Sequence, residues 1–539
     1  MKRKFMAAML AGVMALSLCA AVTVQAEEAY TTGDYTSDPV ERTAGGNPIS
    51  VATAEKGGDT VTFANNEGWT TPDDFNGFTM ANKSFMHLWG DSLQEYDYDE
   101  GAYKLALAES IEWDEDYLTC HVKVREGIPF NDGNEMTAED VAFSYERIAH
   151  GDEYGLANTM SWGKLEGAEV TGDYTVDIHF SSPMPNFNCE SCFVLILEKA
   201  AYEADPEGFW DAPVGTGPYK FIETDFVSNK CTLELWNEDW WGYEAYGKEP
   251  GNVKYFKYTA VNEDSTRVSS LRAGEVQICG NLPFSDMQTV LGDGLQVLRN
   301  TQSDNVWLCI NVEKLPVAQD IRIRQAMSYA IDRQAIVDAI VGNGVVSNWV
   351  VPQKTTGYRE TDGYEYDPAK AAELMAEAGY DGSPITLQIT SGNVPKSEEI
   401  GQAVMSYLQA AGFNVTIEQM ETAAYNDARF SGQYTVQLCS FAYSNGETWK
   451  IMDEIVGRTD FFKTNIVRDE AWAIFDEAMV EMDLEKRDAL MQDGYALIFE
   501  DYDPLYLYDR VNAIGVADNL EGLVLNTDAT FELRFMNLK

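Results

Sequence analysis

Basic residues are scarce in this 539-residue chain: 38 lysines and arginines stand against 88 aspartates and glutamates, a net charge of −50. So acidic a surface repels phosphate backbones and anionic headgroups, which excludes nucleic acid as a partner. Histidine is rarer still, with only His87, His121, His150 and His179, far apart, of which His121 and His179 lie in strand-like segments and are expected to pack or face solvent. No H-E-x-x-H, G-x-S-x-G or phosphate-loop pattern occurs. No metal or other cofactor is expected, and no catalysis. Acid pairs carry no weight here, because 88 carboxylates make some pair certain. Beyond the leader the cysteines are Cys120, Cys189, Cys192, Cys231, Cys279, Cys309 and Cys439, odd in number and scattered. That is not a disulfide framework. Buried thiols are expected, or one local bridge at the close pair Cys189 and Cys192.

Long apolar runs are also missing after the N-terminus. There, Lys2, Arg3 and Lys4 precede an apolar stretch from Phe5 to Leu18, too short to span a bilayer. Val24-Gln25-Ala26 offers small residues where a signal peptidase reads, so residues 1–26 are assigned as a signal peptide and the protein as exported, periplasmic or at the cell surface. Cys19 partly imitates a lipid-attachment site, but such a site takes a small residue directly before the cysteine and Leu18 is large. The lipid anchor is therefore not favoured. Residues 27–58, rich in Thr, Gly, Glu and Asp, are expected to be a disordered leader.

What is present is a core large enough for two domains and a recurrent strand–helix pattern. Residues 59–65 and 117–126 alternate as strands, Thr137 opens a capped helix, and 174–180 is a strand again. Further on, 385–390, 414–420 and 434–442 read as strands separated by a helix over 397–411 and a shorter one. This β-α-β-α-β order predicts a parallel sheet covered on both faces, with ligand at the carboxyl ends of its strands. Asp367, Pro368 and Gly379 bracket another helix. The segment 320–337, DIRIRQAMSYAIDRQAIV, reads as one amphipathic helix capped by Asp320 and stopped near Gly342.

Five blocks in order carry a resemblance. They are LAESIEWDEDYLTCHVKVREGIPFNDGNEMTAEDVAFSYERI (107–148), PVGTGPY (213–219), WNEDWWG (236–242), the D-x-R-x-R-Q-A…A-I-D-R block (320–333) and DPAKAAELMAEAGY (367–380). Together they resemble the ABC-transporter extracellular solute-binding proteins of the dipeptide/oligopeptide/nickel type, family 5. In the PVGTGPY block the glycines are expected to allow a tight turn. The resemblance implies an α/β, two-lobed periplasmic-binding-protein-like fold (class II, with an extra subdomain in lobe I) whose cleft closes about a hinge. Lobe I would comprise residues 59–300 with the inserted subdomain, lobe II 301–504, and 505–539 would return to lobe I. The chain would cross near 302–305 and 504–509.

By that resemblance the partners are a peptide or other small-molecule ligand and an ABC permease in the membrane, and the protein is expected to be a monomer. The ligand-binding candidates are Glu67 and Trp69 after the first strand, Ser391 and Asn393 after the 385–390 strand, and Phe441, Tyr443, Asn445 and Glu447 after the 434–442 strand. Peptide-binding relatives place an aspartate at this last loop to meet the peptide's ammonium group. Here Tyr443-Ser444-Asn445 stands in its place, with Glu447 the nearest carboxylate. An unpaired buried ammonium is costly, so either Glu447 substitutes or the ligand is an oligosaccharide or other polar solute. Trp307, Trp240 and Trp241 are expected to pack in the interior.

Overall fold

The structure, a computed structural model, describes residues 59–66, 71–73, 75, 80–98, 100–156, 162–342, 344–353, 355–390, 394–442, 448, 462–526 and 530–539. Its centre is a pair of long antiparallel strands, Gln296–Ile310 and Leu505–Val516. They lie in the middle of a mixed eleven-stranded sheet. Outward from the first long strand come Val436–Ala442, Ile385–Ile389 and Val415–Gln419; outward from the second come Ile278–Cys279, Thr60–Asn65, Tyr255–Ala260, Lys230–Leu235 and Tyr219–Asp225. The first long strand pairs through residues 296–301 with 511–516, and only its second part, 304–310, meets the Val436–Ala442 strand. One strand pair therefore serves two separate halves.

Each half has its own core. In the second half, Val306, Leu308 and Ile310 of the long strand face a cluster with Ile323, Met327, Val404 and Leu438. Trp307 and Cys309, alternating with them, face another with Cys439, Phe475 and Tyr495. A strand turns successive side chains to opposite faces, so both faces are apolar because both are covered. The Ile385–Ile389 strand runs parallel to both Val415–Gln419 and Val436–Ala442, as the β-α-β-α-β pattern predicts. Helix Ser397–Ala411 buries Ile400, Val404 and Leu408 against them, each worth about 1.5–3 kcal/mol. Gly412 ends it at φ 107°, where a side chain would be strained.

The first half packs around Phe63, Phe85, Trp89, Phe256 and Tyr258. Beside it stands a four-stranded antiparallel sheet, in the order Ala108–Trp113, Thr119–Val124, Thr175–Phe180, Leu165–Gly172. Helix Ala138–Ala149 covers this sheet with Val141, Tyr145 and Ile148 and starts in a reciprocal capping box between Thr137 and Asp140. His121 is partly exposed to solvent, as expected, and Asp177 at 2.7 Å and Asp114 at 3.2 Å flank it and raise its pKa. The seven described cysteines are buried thiols, and Cys189 and Cys192 form no disulfide.

Two expectations are corrected. The segment 320–337 is not one helix. Ile321–Ala330 stops at Ile331, and Asp332 caps a second short helix, Arg333–Ile336, by accepting from Ala335 N at 2.9 Å. The chain bends at 216–218, but neither Gly215 nor Gly217 has a positive φ, so the bend itself does not require glycine. Gly215 and Gly217 press on the backbone around Trp89, and a Cβ on Gly217 would sit 2.6 Å from the Trp89 carbonyl carbon. Their role is close approach of two backbones.

The broken helix explains how the second long strand is held. Arg324 donates to the carbonyls of Ala318 and Asp501, both at 2.7 Å, and Arg333 to that of Tyr506 at 2.6 Å. Arg468 donates to the Asp503 carbonyl at 2.7 Å and carboxylate at 3.1 Å and to Asp501 at 3.0 Å. Asp503 in turn accepts from Ile310 N at 2.9 Å, tying the two long strands together.

Between the halves the ladder slips, with register shifts between Thr301/Asn305 and Val306/Trp307. Here Asp509 accepts from Asn305 Nδ2 at 2.5 Å and from the Ser347 hydroxyl, and Arg510 donates to Asp304 at 2.7 Å. Burial pushes the Asp509 carboxyl up to about 7 and the Asp304 carboxyl up to about 6, the latter against the pull of Arg510.

Two predictions follow from these buried charges. Arg468→Met strands the Asp503 carboxylate, and urea unfolding should show a loss of about 3–5 kcal/mol; a loss below about 1 kcal/mol would contradict the network. Asp509 has its pKa raised on folding, so its contribution to stability is full below the unfolded value near 4 and lost as pH rises through about 7. Asp509→Asn keeps an oxygen for both donors. The fall in unfolding free energy from about pH 5 to about pH 8 should therefore shrink by on the order of 2 kcal/mol in that variant.

Candidate functional site

Register alone shows where the strand ends meet. Thr60–Asn65 runs parallel to Ile278–Cys279, and both run antiparallel to Leu505–Val516. Thr60–Asn65 therefore points along the first long strand toward the slipped region. The Val436–Ala442 strand is antiparallel to that same long strand, with Ala442 opposite Asp304. It points at the slipped region from the other side, as does the parallel Ile385–Ile389 strand. Carboxyl ends from the two halves thus converge on residues 301–305 and 509–511. That is where open α/β sheets take ligands.

Each sequence-predicted candidate leaves one of these ends. Phe441 is described: it is half-buried, paired with Asn305 and packed at the rim of the Trp307 core. Glu67, Trp69, Ser391, Asn393, Tyr443, Asn445 and Glu447 lie outside the described residues. Their loops depart from Asn66, from Thr390, whose hydroxyl lies 3.2 Å from that of Thr422, and from Ala442.

Beneath Phe441 the strand is rigidly backed. The Tyr425 hydroxyl donates to the Leu438 carbonyl at 2.6 Å and lies 3.4 Å from Cys439 Sγ. Burial pushes the Cys439 thiol up, but the Cys309 thiol and the Arg429 guanidinium outweigh it and leave the pKa lowered. Trp307 is fully buried and packs on Phe462 and Tyr506, the structural role expected of it. Trp240 is likewise interior, and both Trp240 and Trp241 donate their indole N–H to Asp91.

The wall contributed by the first half consists of amides that sequence reading missed. Asn65 is buried and its Oδ1 accepts from Asn66 N at 2.9 Å and Asn281 Nδ2 at 3.3 Å; Asn281 also donates to Asn66. Gly280 must be glycine, since a Cβ would meet the Phe63 ring at 2.8 Å. Arg267, fully buried, props this turn by donating to the carbonyls of Val261 at 2.7 Å, Asn262 at 3.0 Å, Gly280 and Asn281. The signal was the run Asn65-Asn66, at a strand end where side-chain amides cap backbone.

Chemically the crossing gathers side-chain amides with the carboxyl groups of Asp304 and Asp509, both buried and already bonded to Arg510, Asn305 and Ser347. Among the described residues no group of three His, Cys, Asp or Glu could hold a metal ion. A cavity of about 210 Å³ occurs elsewhere, between helix Met80–Trp89 and the C-terminal segment around Arg534, and includes none of the candidate residues.

The family model for bacterial extracellular solute-binding proteins, family 5, matches residues 102–463. Heme-binding protein A of Haemophilus influenzae is 25% identical over 421 residues, covering 72% of this chain and 75% of that protein. The glutathione-binding protein GsiB of Escherichia coli K12 is 28% identical over 377 residues, covering 67% and 69%. Among solved structures, HbpA2 of Haemophilus parasuis superposes with a TM-score of 0.78 at 20% identity, over 89% of this chain and 100% of that one. The substrate-binding protein CtaP of Listeria monocytogenes gives 0.79 at 19%, over 90% and 100%. These share the two-lobed fold. No helix among the described residues is long and apolar enough to cross a membrane. With two thirds of its length inside the family model, the chain belongs to the bacterial extracellular solute-binding proteins of family 5.

Proposed function

We propose that this protein captures peptides outside the cytoplasm, as a monomer and without catalysis, and hands them to an ABC permease. The observation that carries the reading is the convergence of strand carboxyl ends from two halves on one polar crossing, in a chain of this family. Relatives named for glutathione, a peptide, support the ligand class, as does one named a putative peptide-binding protein from Brucella ovis. Lobe I comprises residues 59–300 and the C-terminal segment, and lobe II 301–504 together with Leu505, Leu507 and Tyr508. Those three pack with Val306 and Leu308, although the sequence reading gave 505–539 to lobe I. The slipped ladder at Thr301–Asn305 is the hinge. A ligand that touches both lobes shifts the open–closed equilibrium by its preference for the closed form. Glu67, Trp69, Ser391, Asn393, Phe441, Tyr443, Asn445 and Glu447 line the cleft, Trp69 and Phe441 offering apolar surface and the rest polar contacts. The leader is cleaved after Ala26 rather than lipidated at Cys19.

Glu447 receives the peptide ammonium. A second reading, capture of an oligosaccharide or other polar solute, draws on the Tyr443-Ser444-Asn445 stretch, which has no acid. Thermal unfolding of the mature protein separates the two. A peptide mixture should raise the midpoint, and a bound state at 100 times Kd adds about 2.7 kcal/mol. Stabilisation by sugars and none by peptides refutes peptide capture. For a stabilising peptide, Glu447→Gln should weaken binding at least about tenfold in calorimetry, and N-acetylation of the peptide should have the same effect. Unchanged affinity in the variant removes Glu447 from the site.

A further inference from the structure

One side chain joins the core around Tyr145 to the core around Trp307 at a point remote from the long strands. Lys164 immediately precedes the strand Leu165–Gly172 of the four-stranded sheet. Its Nζ donates to the Pro183 carbonyl at 2.7 Å and to the Met479 carbonyl at 2.9 Å, 315 positions away in sequence. Pro183 follows the strand Thr175–Phe180 of the same sheet. Met479 closes the helix Asp469–Ala478, whose Ala471, Phe475 and Ala478 pack in the Trp307 core. The last carbonyls of a helix have no intrahelical partner and form its negative end, so an ammonium is the matching group. Lys164 is half-buried, and burial together with Arg487 lowers its pKa. Its charge is therefore held there against desolvation by these two carbonyls. The two halves also touch near the hinge, where a Cβ on Gly342 would come 2.6 Å from the ring of Phe284.

We infer that Lys164 is a positioning residue for capture, a latch that fastens the four-stranded subdomain to the end of the Asp469–Ala478 helix and biases the clamp toward its shut form. The inference rests on reading the molecule as a two-lobed clamp, but not on the identity of the ligand. The bond to Met479 exists only while the two halves are together, so it adds to the closed state alone. One hydrogen bond from a charged donor is worth about a tenfold shift in such an equilibrium. Ligand enters and leaves through the open form. The latch therefore slows release, and it slows capture to the extent that it closes the ligand-free protein.

The test needs no ligand. Spin labels at Glu169→Cys and Glu485→Cys, both exposed positions, report the distance across the latch while the seven native thiols stay buried. In the ligand-free mature protein a short-distance population is expected. Lys164→Met should move the short-to-long ratio about tenfold toward long. Lys164→Arg should retain the short population, and Lys164→Glu should open the clamp at least as far as Lys164→Met. A second pair at Glu112→Cys and Glu169→Cys, within the subdomain, should not move, and unfolding midpoints establish that the variants are folded. Identical cross-lobe distances in the parent and Lys164→Met overturn the inference, and so does a change confined to the second pair. Failure of peptide capture would leave these distances as they are, so the two readings fail separately.

Discussion

The fold depends on one strand pair being held at one end. Gln296–Ile310 and Leu505–Val516 run through both halves, and neither half closes its sheet without them. Three buried guanidiniums secure the start of the second strand. Arg324 and Arg333 take up carbonyls of the turn and strand, and Arg468 takes both the carbonyl and the carboxylate of Asp503. Such charges are expensive to bury, and a paired cluster replaced whole by apolar residues often loses little stability, although removing one partner alone is costly. What they supply is position. A guanidinium with carbonyls at fixed angles allows one register, and the register sets where the strand crosses to the other half.

From that crossing the site follows. Around Val306 the ladder between the two long strands slips, the strand Gly344–Val346 pairs with Tyr508–Arg510, and side-chain bonds among Asn305, Ser347 and Asp509 and between Asp304 and Arg510 add to the hold. This region lies where the strand carboxyl ends of both halves point. The amides of Asn65, Asn66 and Asn281 and the ring of Phe441 flank it. On the proposed reading, hinge and binding floor are the same few residues, and a ligand bound at the crossing would act directly on closure.

Local rules were legible in the sequence; long-range ones were not. Thr137, Asp320 and Asp367 cap helices as read, and Gly342, Gly379 and Gly412 stop them, because a cap depends on neighbours within four residues. The parallel order of the 385–442 strands followed from spacing alone. The break at Ile331–Asp332 was hidden because Asp332 fits the polar face of a continuous helix equally well. Gly215 and Gly217 were read as turn residues because their actual contact, the Trp89 backbone, lies some 125 positions away in sequence. Arg324 with Asp501, Arg267 with the Gly280 turn and Lys164 with Met479 were unreadable for the same reason. Of the candidate site, the sequence offered the loops after three strands, but not the cluster of Asn65, Asn66 and Asn281 or the buried carboxyl groups of Asp304 and Asp509, whose partners lie far off in sequence.

The most direct test of the account is amide hydrogen exchange on the mature protein, with and without a peptide that stabilises it. If the crossing is both hinge and floor, protection should rise together at residues 62–70, 301–306, 388–394 and 440–448, which come from both halves. Protection confined to one half, or to the cavity around Arg534 between helix Met80–Trp89 and the C-terminal segment, would contradict it.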